Sequence, residues 1–417
     1  MTVYWAAEPA ALEHHVNGAR DPGGRVGAPV WAEIDLDAIA GNAAQLCRWI
    51  GPRCQLMAVV KANGYGHGAV AAAQAALAGG AGSICVGRLD EGLELRCAGI
   101  AAPVLVLGYV PASQAETALR FDLTLTVNEL DVAQALSEAA QRLGRRARVH
   151  IKIDTGMTRF GLLPDEAPEM VARLARLPGL ELEGLCTHFA IADEPDNPYT
   201  LRQLERFLTT ERTLARRGLR FRLRHAANSA AILDFPEAHF DAVRAGIALY
   251  GVQPGPATRR LDGLRPALTL KAEVARVRLV PPGTAVSYGC TYRTARTQRL
   301  ALLPAGYGDG LSRALSNRGA ALLRGRRAPI VGRVCMDMCI VDATALPDVH
   351  VGDEAVLIGT QAGECIPVEE LAALADTLHY EVLTGISARV PRLYFQEGKL
   401  VAMQTLNGRA EDMGRNE

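Results

Sequence analysis

Between residue 30 and about residue 265 the chain repeats one rhythm, in which a short apolar or β-branched run is followed by a longer segment of helical period. The short runs predict strands at 56–60, 83–86, 104–107, 123–127, 149–153, 182–188, 221–225 and 242–244. The segments between them predict helices. The stretch 37–50 carries Leu36, Ile39, Ala43, Leu46 and Ile50 on one stripe. The stretch 69–78 stops at Gly79 and Gly80; 128–143 is capped by Asn128 and stopped by Gly144; 200–217 stops at Gly218. Eight strands alternating with helices over about 235 residues fit a closed (β/α)8 TIM barrel of the α/β class. An open doubly wound sheet is the rival, but no G-x-G-x-x-G follows the first strand.

After Pro266 the pattern changes. Residues 269–280 alternate with period two, a Gly- and Pro-containing turn follows, and strand-like runs occur at 299–303, 320–323, 329–334, 339–341 and 354–358. Helical signal is confined mainly to 368–378. This predicts a second, mostly antiparallel β domain. The expected organisation is a flexible leader over 1–28, rich in Gly, Pro and Ala, a barrel over 29–262 and a C-terminal β domain over 263–417.

The composition narrows the function classes. Lys plus Arg and Asp plus Glu both total 45, so no net basic field draws nucleic acid or an anionic membrane. No apolar run approaches the roughly 20 residues of a membrane helix. The N-terminal residues lack the charged and apolar regions of a Sec-type signal. Nine scattered cysteines without a CxxC pair suit reduced thiols and a cytoplasmic location. Cys335 and Cys339 read as core, and no HExxH or His-rich tract suggests a metal.

In a βα barrel the chemistry lies at the C-terminal ends of the strands. After the first barrel strand comes AVVKANGYGHG, with Lys61 at the strand end and Tyr65 and His67 in a Gly-rich turn. A lysine at a closed barrel mouth loses pKa through burial and suits a Schiff-base nucleophile; a solvated strand-end lysine is the alternative. After the fifth strand comes IKIDTGMTRFG. Lys152 and Asp154 alternate with Ile151 and Ile153, so both are expected inside the barrel, where charges must be paired or modified. Arg159 follows on a loop suited to an anionic group. His188 follows the sixth strand and could equally be a structural histidine. After the seventh strand, in HAANSAA, Ser229 opens a helix and suits phosphate, or is a plain N-cap. After the eighth, Arg244 points inward and Gly246 and Ile247 offer backbone N–H groups; a salt bridge with Asp154 is the alternative for Arg244. A lysine nucleophile, two adjacent phosphate-binding loops, an inward arginine and a histidine together make a pyridoxal phosphate constellation.

These segments, followed by VSYGCTY, GYGDG, GRVCMDM and YEVLTGISARVPRLY in the same order, resemble bacterial alanine racemase from about Val30 to Tyr394. The resemblance implies a homodimer with shared active sites, pyridoxal 5'-phosphate as cofactor, and interconversion of L- and D-alanine for cell-wall peptidoglycan. It implies that Lys61 is the lysine bound to the cofactor and that Tyr288 is a second base entering the partner's barrel mouth. Tyr65, Asn228, Ser229, Gly246 and Ile247 match cofactor-binding positions, Arg244 the arginine at the pyridine nitrogen, and His188 the histidine beside the ring. Arg159, Met336, Asp337 and Tyr307 match substrate-site positions, and Lys152 a lysine often carbamylated.

Racemisation needs bases on both faces of Cα. The resemblance assigns the face of the D-enantiomer to Lys61 and that of the L-enantiomer to Tyr288, with His188 and Arg244 expected to favour the phenolate. An arginine cannot surrender a proton to the ring nitrogen, which limits side reactions. Three positions depart from the family pattern: Gly64 stands where Ala is usual, Met338 where Gln is common, and Ala388 where some relatives carry a gating tyrosine. The last two leave room for a broader substrate range that includes serine. A non-catalytic pyridoxal phosphate carrier is a further reading, opposed by the presence of the β domain with Tyr288, Met336 and Asp337.

Overall fold

The computed structural model describes residues 27–406 and 408–411. The leader expected over 1–28 lies almost wholly outside the described residues. The chain divides into two compact units, one spanning Leu36–Ala267 and the other formed by the segment up to Asp35 together with the chain from Leu268 onward.

The first unit is a closed barrel of eight parallel strands: β2 (Gln55–Val59), β3 (Ser83–Val86), β4 (Val104–Val106), β5 (Leu123–Thr126), β6 (Ala147–Lys152), β7 (Leu180–Cys186), β8 (Leu223–His225) and β9 (Ala242–Ala245). Several of these strands are buried along their whole length, as sheets covered by helices on one side and filled on the other must be. Closure is made by β9 on β2, with Met57 opposite Arg244. Helix Leu36–Ile50 turns Ile39, Ala43 and Leu46 inward. It packs so closely on the end of helix Ala69–Ala78 that a Cβ on Gly79 would lie 2.2 Å from the Ala40 carbonyl oxygen. Buried Asn42 donates to the carbonyls of Leu249 and Arg265 and accepts from the Arg265 N–H, strapping the end of the unit to its first helix.

Residues 30–35, expected within the barrel domain, form a strand, Val30–Asp35 (β1). It instead belongs to the β unit, pairing antiparallel with Leu268–Glu273 and parallel with Arg392–Gln396. Its burial alternates residue by residue, the pattern of a strand with one covered face. The boundary expected at 262/263 falls instead at Ala267/Leu268.

The β unit is mostly antiparallel. A nine-stranded sheet runs in the order Arg326–Pro329, Ala320–Leu323, Glu354–Gln361, Leu268–Glu273, β1, Arg392–Gln396, Lys399–Thr405, Gly408–Glu411, with Glu364–Ile366 paired beside Glu354–Gln361. The expected run 269–280 is broken. Leu268–Glu273 enters the large sheet, while Arg276–Val280 joins Gln298–Leu303 and Cys339–Asp342 in a three-stranded sheet. The expected strand 329–334 lies earlier, at Arg326–Pro329, and the expected helix 368–378 stops at Ala375, before Asp376, whose φ is 55°; a separate helix starts at His379. The strands after Arg392 were not anticipated. Among the described residues no helix is long and apolar enough to cross a membrane.

Candidate active site

The barrel gathers its functional side chains at the strand ends and in its interior. Lys61 lies one residue beyond the end of β2, after Val60, and the next four residues turn in the left-handed sense: φ is 52° at Ala62, 55° at Asn63, 61° at Gly64 and 52° at Tyr65. For L-residues this conformation costs about 1–2 kcal/mol each, so the turn needs support. Glu91 supplies part of it, accepting from the Ala62 N–H at 2.6 Å and from the N–H groups of Gly87 and Arg88. Asn63 Oδ1 accepts from the Ala69 N–H at 3.0 Å, and the Gly64 N–H donates to the Val60 carbonyl at 2.7 Å. Burial pushes the Lys61 amine below its ordinary value, Arg159 pushes it further, and Glu91 opposes them.

Tyr65, buried and tilted against Tyr250, directs its hydroxyl at Gly246. A Cβ on Gly246 would lie 2.6 Å from that oxygen. Ser229 is not the helix cap. Asn228 performs that task by accepting from the Ala231 N–H at 3.0 Å. Ser229 Oγ accepts instead from the Gly246 N–H at 2.9 Å and the Ala248 N–H at 3.3 Å, joining the loops after β8 and β9. The Ile247 N–H makes no hydrogen bond among the described residues.

Arg244 is buried and makes no salt bridge with Asp154. Nη1 donates to the His225 carbonyl at 3.0 Å and to His225 Nδ1; Nη2 donates to the Thr187 and Ala226 carbonyls, both at 2.8 Å, and to His188 Nδ1 at 3.2 Å. Both Nη nitrogens are committed, and no hydrogen bond involves Nε among the described residues. Burial and the Arg244 charge hold His188 and His225 well below the usual imidazole value, so both rings are neutral. Asp154 spends one carboxylate oxygen on the N–H groups of Gly156, Met157 and Thr158, shaping the loop that carries exposed Arg159. The pair expected inside the barrel is therefore one loop anchor and one lysine. The Lys152 amine lies 5.6 Å from the centroid of the Phe160 ring, and burial, reinforced by Arg244 and Arg159, lowers its pKa to about 8. Asn128 does not cap the following helix, which starts at Leu130; its Oδ1 accepts from the Lys152 N–H at 3.0 Å.

The β unit carries the remaining candidates on three connected loops. Tyr288 follows Ser287, whose φ is 62°, and is 72% exposed. Ser287 Oγ donates to the Arg333 carbonyl at 2.6 Å and lies 3.3 Å from Cys335 Sγ. The Tyr307 and Gly308 N–H groups donate to the carbonyls of Cys335 and Met336. Arg389 clamps the group, with Nε 2.7 Å from Asp309 and Nη1 2.8 Å from Asp337. Tyr288, Tyr307, Met336 and Asp337 are thus presented outward together.

Sequence reasoning passed over Glu91, Arg389, and the buried groups His150, Glu183 and His225. For His150 a signal existed: it shares the inward period of Lys152. Glu91 and Arg389 act across separations of 29 and 80 residues, which local pattern does not encode.

Residues 34–254 match the alanine racemase N-terminal domain and residues 267–394 the alanine racemase C-terminal domain. The alanine racemase of Symbiobacterium thermophilum is 52% identical over 366 residues, covering 88% of this chain and 97% of its own. That of Desulforamulus reducens is 47% identical over 371 residues, with 88% and 99% covered. Among solved structures, alanine racemase of Clostridium difficile 630 superposes with a TM-score of 0.87 at 37% identity over 91% of this chain and 99% of its own. The Bacillus anthracis alanine racemase with bound L-Ala-P gives 0.84 at 39% identity over 90% and 97%. With both domains matched and relatives aligned along nearly its whole length, the chain belongs to the alanine racemase family.

Proposed function

We propose that this enzyme interconverts L-alanine and D-alanine with pyridoxal 5'-phosphate, using Lys61 and Tyr288 as the two bases, and that its product feeds cell-wall peptidoglycan. The observation that carries the cofactor reading is the uncommitted donor set at the barrel mouth. Both Nη nitrogens of Arg244 are spent on protein acceptors, while its Nε–H and the Ile247 N–H have no protein partner among the described residues. One fits an aromatic ring nitrogen and the other a phosphate oxygen. The space that a Cβ on Gly246 would fill, beside the Tyr65 hydroxyl, fits the close approach of a phosphate.

Lys61 Nζ is the amine that would hold the cofactor's aldehyde carbon, with Tyr65, Ser229, Gly246 and Ile247 around its phosphate and Arg244 at its ring nitrogen. Asn228 acts indirectly, by capping the helix that begins with Ser229. When bound, the cofactor supplies an electron sink that acidifies the Cα–H bond of an amino acid. Lys61, lowered in pKa, serves as base on one face of Cα. The Tyr288 oxygen takes or returns the proton on the other face. Arg159 binds the substrate carboxylate, and Met336, Asp337 and Tyr307 border the substrate. Lys152, poised near pH 8, carries a carbamate that would answer the Arg159 cation.

The 72% exposure of Tyr288, beside exposed Tyr307 and Met336, supports a homodimer in which this face enters the partner subunit's barrel mouth. Nine free cysteines support a reducing, cytoplasmic location. The direct test is to incubate purified protein and pyridoxal phosphate with L-alanine and measure D-alanine; absence of the D-enantiomer from cofactor-loaded protein overturns the proposal.

A further inference from the structure

The cation of Arg244 is buried without a carboxylate among its hydrogen-bond partners. A chain of side chains inside the barrel leads from it to one. Arg244, on β9, donates through Nη1 to His225 Nδ1, at the end of β8. His225 Nε2 lies 2.8 Å from His150 Nδ1, on β6. His150 Nε2 lies 3.2 Å from Glu183 Oε2, on β7. The other carboxylate oxygen of Glu183 accepts from Arg222, whose side chain is exposed. The two imidazoles lie 5.0 Å apart, centroid to centroid, at 53°. Two backbone features make room for them. The β6–β7 register shifts between Val149 and His150, and a Cβ on Gly184 would stand 2.5 Å from His150 Nδ1.

Arginine only donates and carboxylate only accepts, so a neutral pair between them has one consistent arrangement. His225 accepts at Nδ1 and donates at Nε2; His150 does the same; every proton points toward Glu183. Burial lowers the pKa of both rings, at His150 against the opposing pull of Glu183, and the contacts with His150 and Arg222 hold the Glu183 carboxyl down at about 2.

We propose that Glu183, acting through His150 and His225, is a positioning residue that fixes the orientation and hydrogen-bond direction of Arg244 and so aims its Nε–H at the cofactor ring. The relay consumes one Nη hydrogen on a fixed acceptor and supplies the missing negative charge at a distance. A rotation of the guanidinium that turned Nε inward would leave His225 Nδ1 without its donor in a dry interior, where an unmade hydrogen bond costs about 1–3 kcal/mol. This inference rests on the placement of Arg244 at the ring nitrogen argued above.

The test uses holoenzyme with 15N-labelled histidine. In the wild type, NMR should find both His150 and His225 protonated at Nε2 and bare at Nδ1. Finding Nδ1–H on either ring overturns the relay. Glu183→Gln removes the charge at constant size. It should mix the tautomers and lower kcat about tenfold, the scale on which supporting hydrogen-bond partners act, with KM within twofold. The double variant with His150→Phe should be no slower than the worse single variant, since both break one chain. Unchanged tautomers and kcat in Glu183→Gln, or fully additive losses, overturn the proposal; if that variant does not fold, the wild-type tautomers still decide. A ring-nitrogen 15N shift that is the same in wild type and Arg244→Leu overturns the placement of Arg244 instead, and leaves the tautomers to judge the relay.

Discussion

The Ser229 hydroxyl accepts the Gly246 N–H at 2.9 Å and thereby ties the loop after one barrel strand to the loop after the next. The same glycine faces the Tyr65 hydroxyl so closely that a methyl group there would stand 2.6 Å from it. Three segments far apart in sequence therefore meet at one small volume. Gly246→Ala should weaken cofactor binding roughly tenfold to a hundredfold, corresponding to about 1–3 kcal/mol of overpacking. Adding Tyr65→Phe, which removes the oxygen nearest to the new methyl, should restore part of that loss. Titration of apoprotein with pyridoxal phosphate, followed by absorbance, measures both. A Gly246→Ala protein that binds as tightly as wild type contradicts the cradle.

The two barrel lysines should separate chemically. Borohydride reduction of the holoenzyme should leave the cofactor on Lys61, and Lys61→Ala should be colourless and inactive with either enantiomer. An adduct mapped to Lys152 would exchange the two assignments.

Lys152 should show its lowered pKa as a pH dependence. Its value falls from 10.5 to about 8. Carbamate forms only on the neutral amine, so a 13C-carbamate signal in 13CO2-equilibrated protein should grow as pH rises through about 8 and vanish in Lys152→Met. Without CO2, the unfolded chain binds more protons than the folded one between pH 8 and 10.5 at this site. Lys152 therefore contributes a stability increment that grows as pH rises across that window. The denaturation midpoint of Lys152→Met should lack that increment.

Tyr288→Phe should keep the cofactor and its colour. In deuterium oxide it should lose α-hydrogen exchange from L-alanine while Lys61 still exchanges that of D-alanine. Equal loss from both enantiomers argues against two separate bases.

If Tyr288 serves the partner subunit's barrel, then mixing Lys61→Ala with Tyr288→Phe creates heterodimers with one intact site. Free mixing should recover up to about a quarter of wild-type activity, because half the dimers carry one of two sites. No recovery, with heterodimers demonstrated, places both bases on one chain.

Ala388 is exposed, next to Arg389, whose guanidinium is fastened to Asp309 and Asp337. A side chain introduced there is carried by an anchored backbone. An apolar pocket rejects an added hydroxyl by only about a hundredfold, so measurable serine racemisation is expected beside preferred alanine. Ala388→Tyr should raise the ratio of kcat/KM for L-alanine over L-serine. An unchanged ratio removes this position from the account of specificity.

The eight barrel strands, the lysine after the first of them and the motifs after the later ones were legible in the sequence, because each is written within a few consecutive residues. Helix 69–78 was placed to the residue, between a left-handed Gly68 and the Gly79-Gly80 stop. Tertiary structure alone decided the rest. Residues 30–35 fall in the segment expected to belong to the barrel, and only the pairing of Val30–Asp35 with Leu268–Glu273 and Arg392–Gln396 assigns it to the β unit. Asn128 and Ser229 both carry cap chemistry, yet one bonds the Lys152 N–H across 24 residues and the other the Gly246 N–H across 17. Arg244 had an acidic residue of suitable period in Asp154, but three loop N–H groups took that carboxylate and Arg244 received two imidazoles instead. The register shift at Val149/His150 that opens the barrel interior to this arrangement has no mark in the local pattern. Periodicity is a property of a segment, whereas the partner of a buried polar group is settled only when closure brings four strands together and leaves no water to serve in its place.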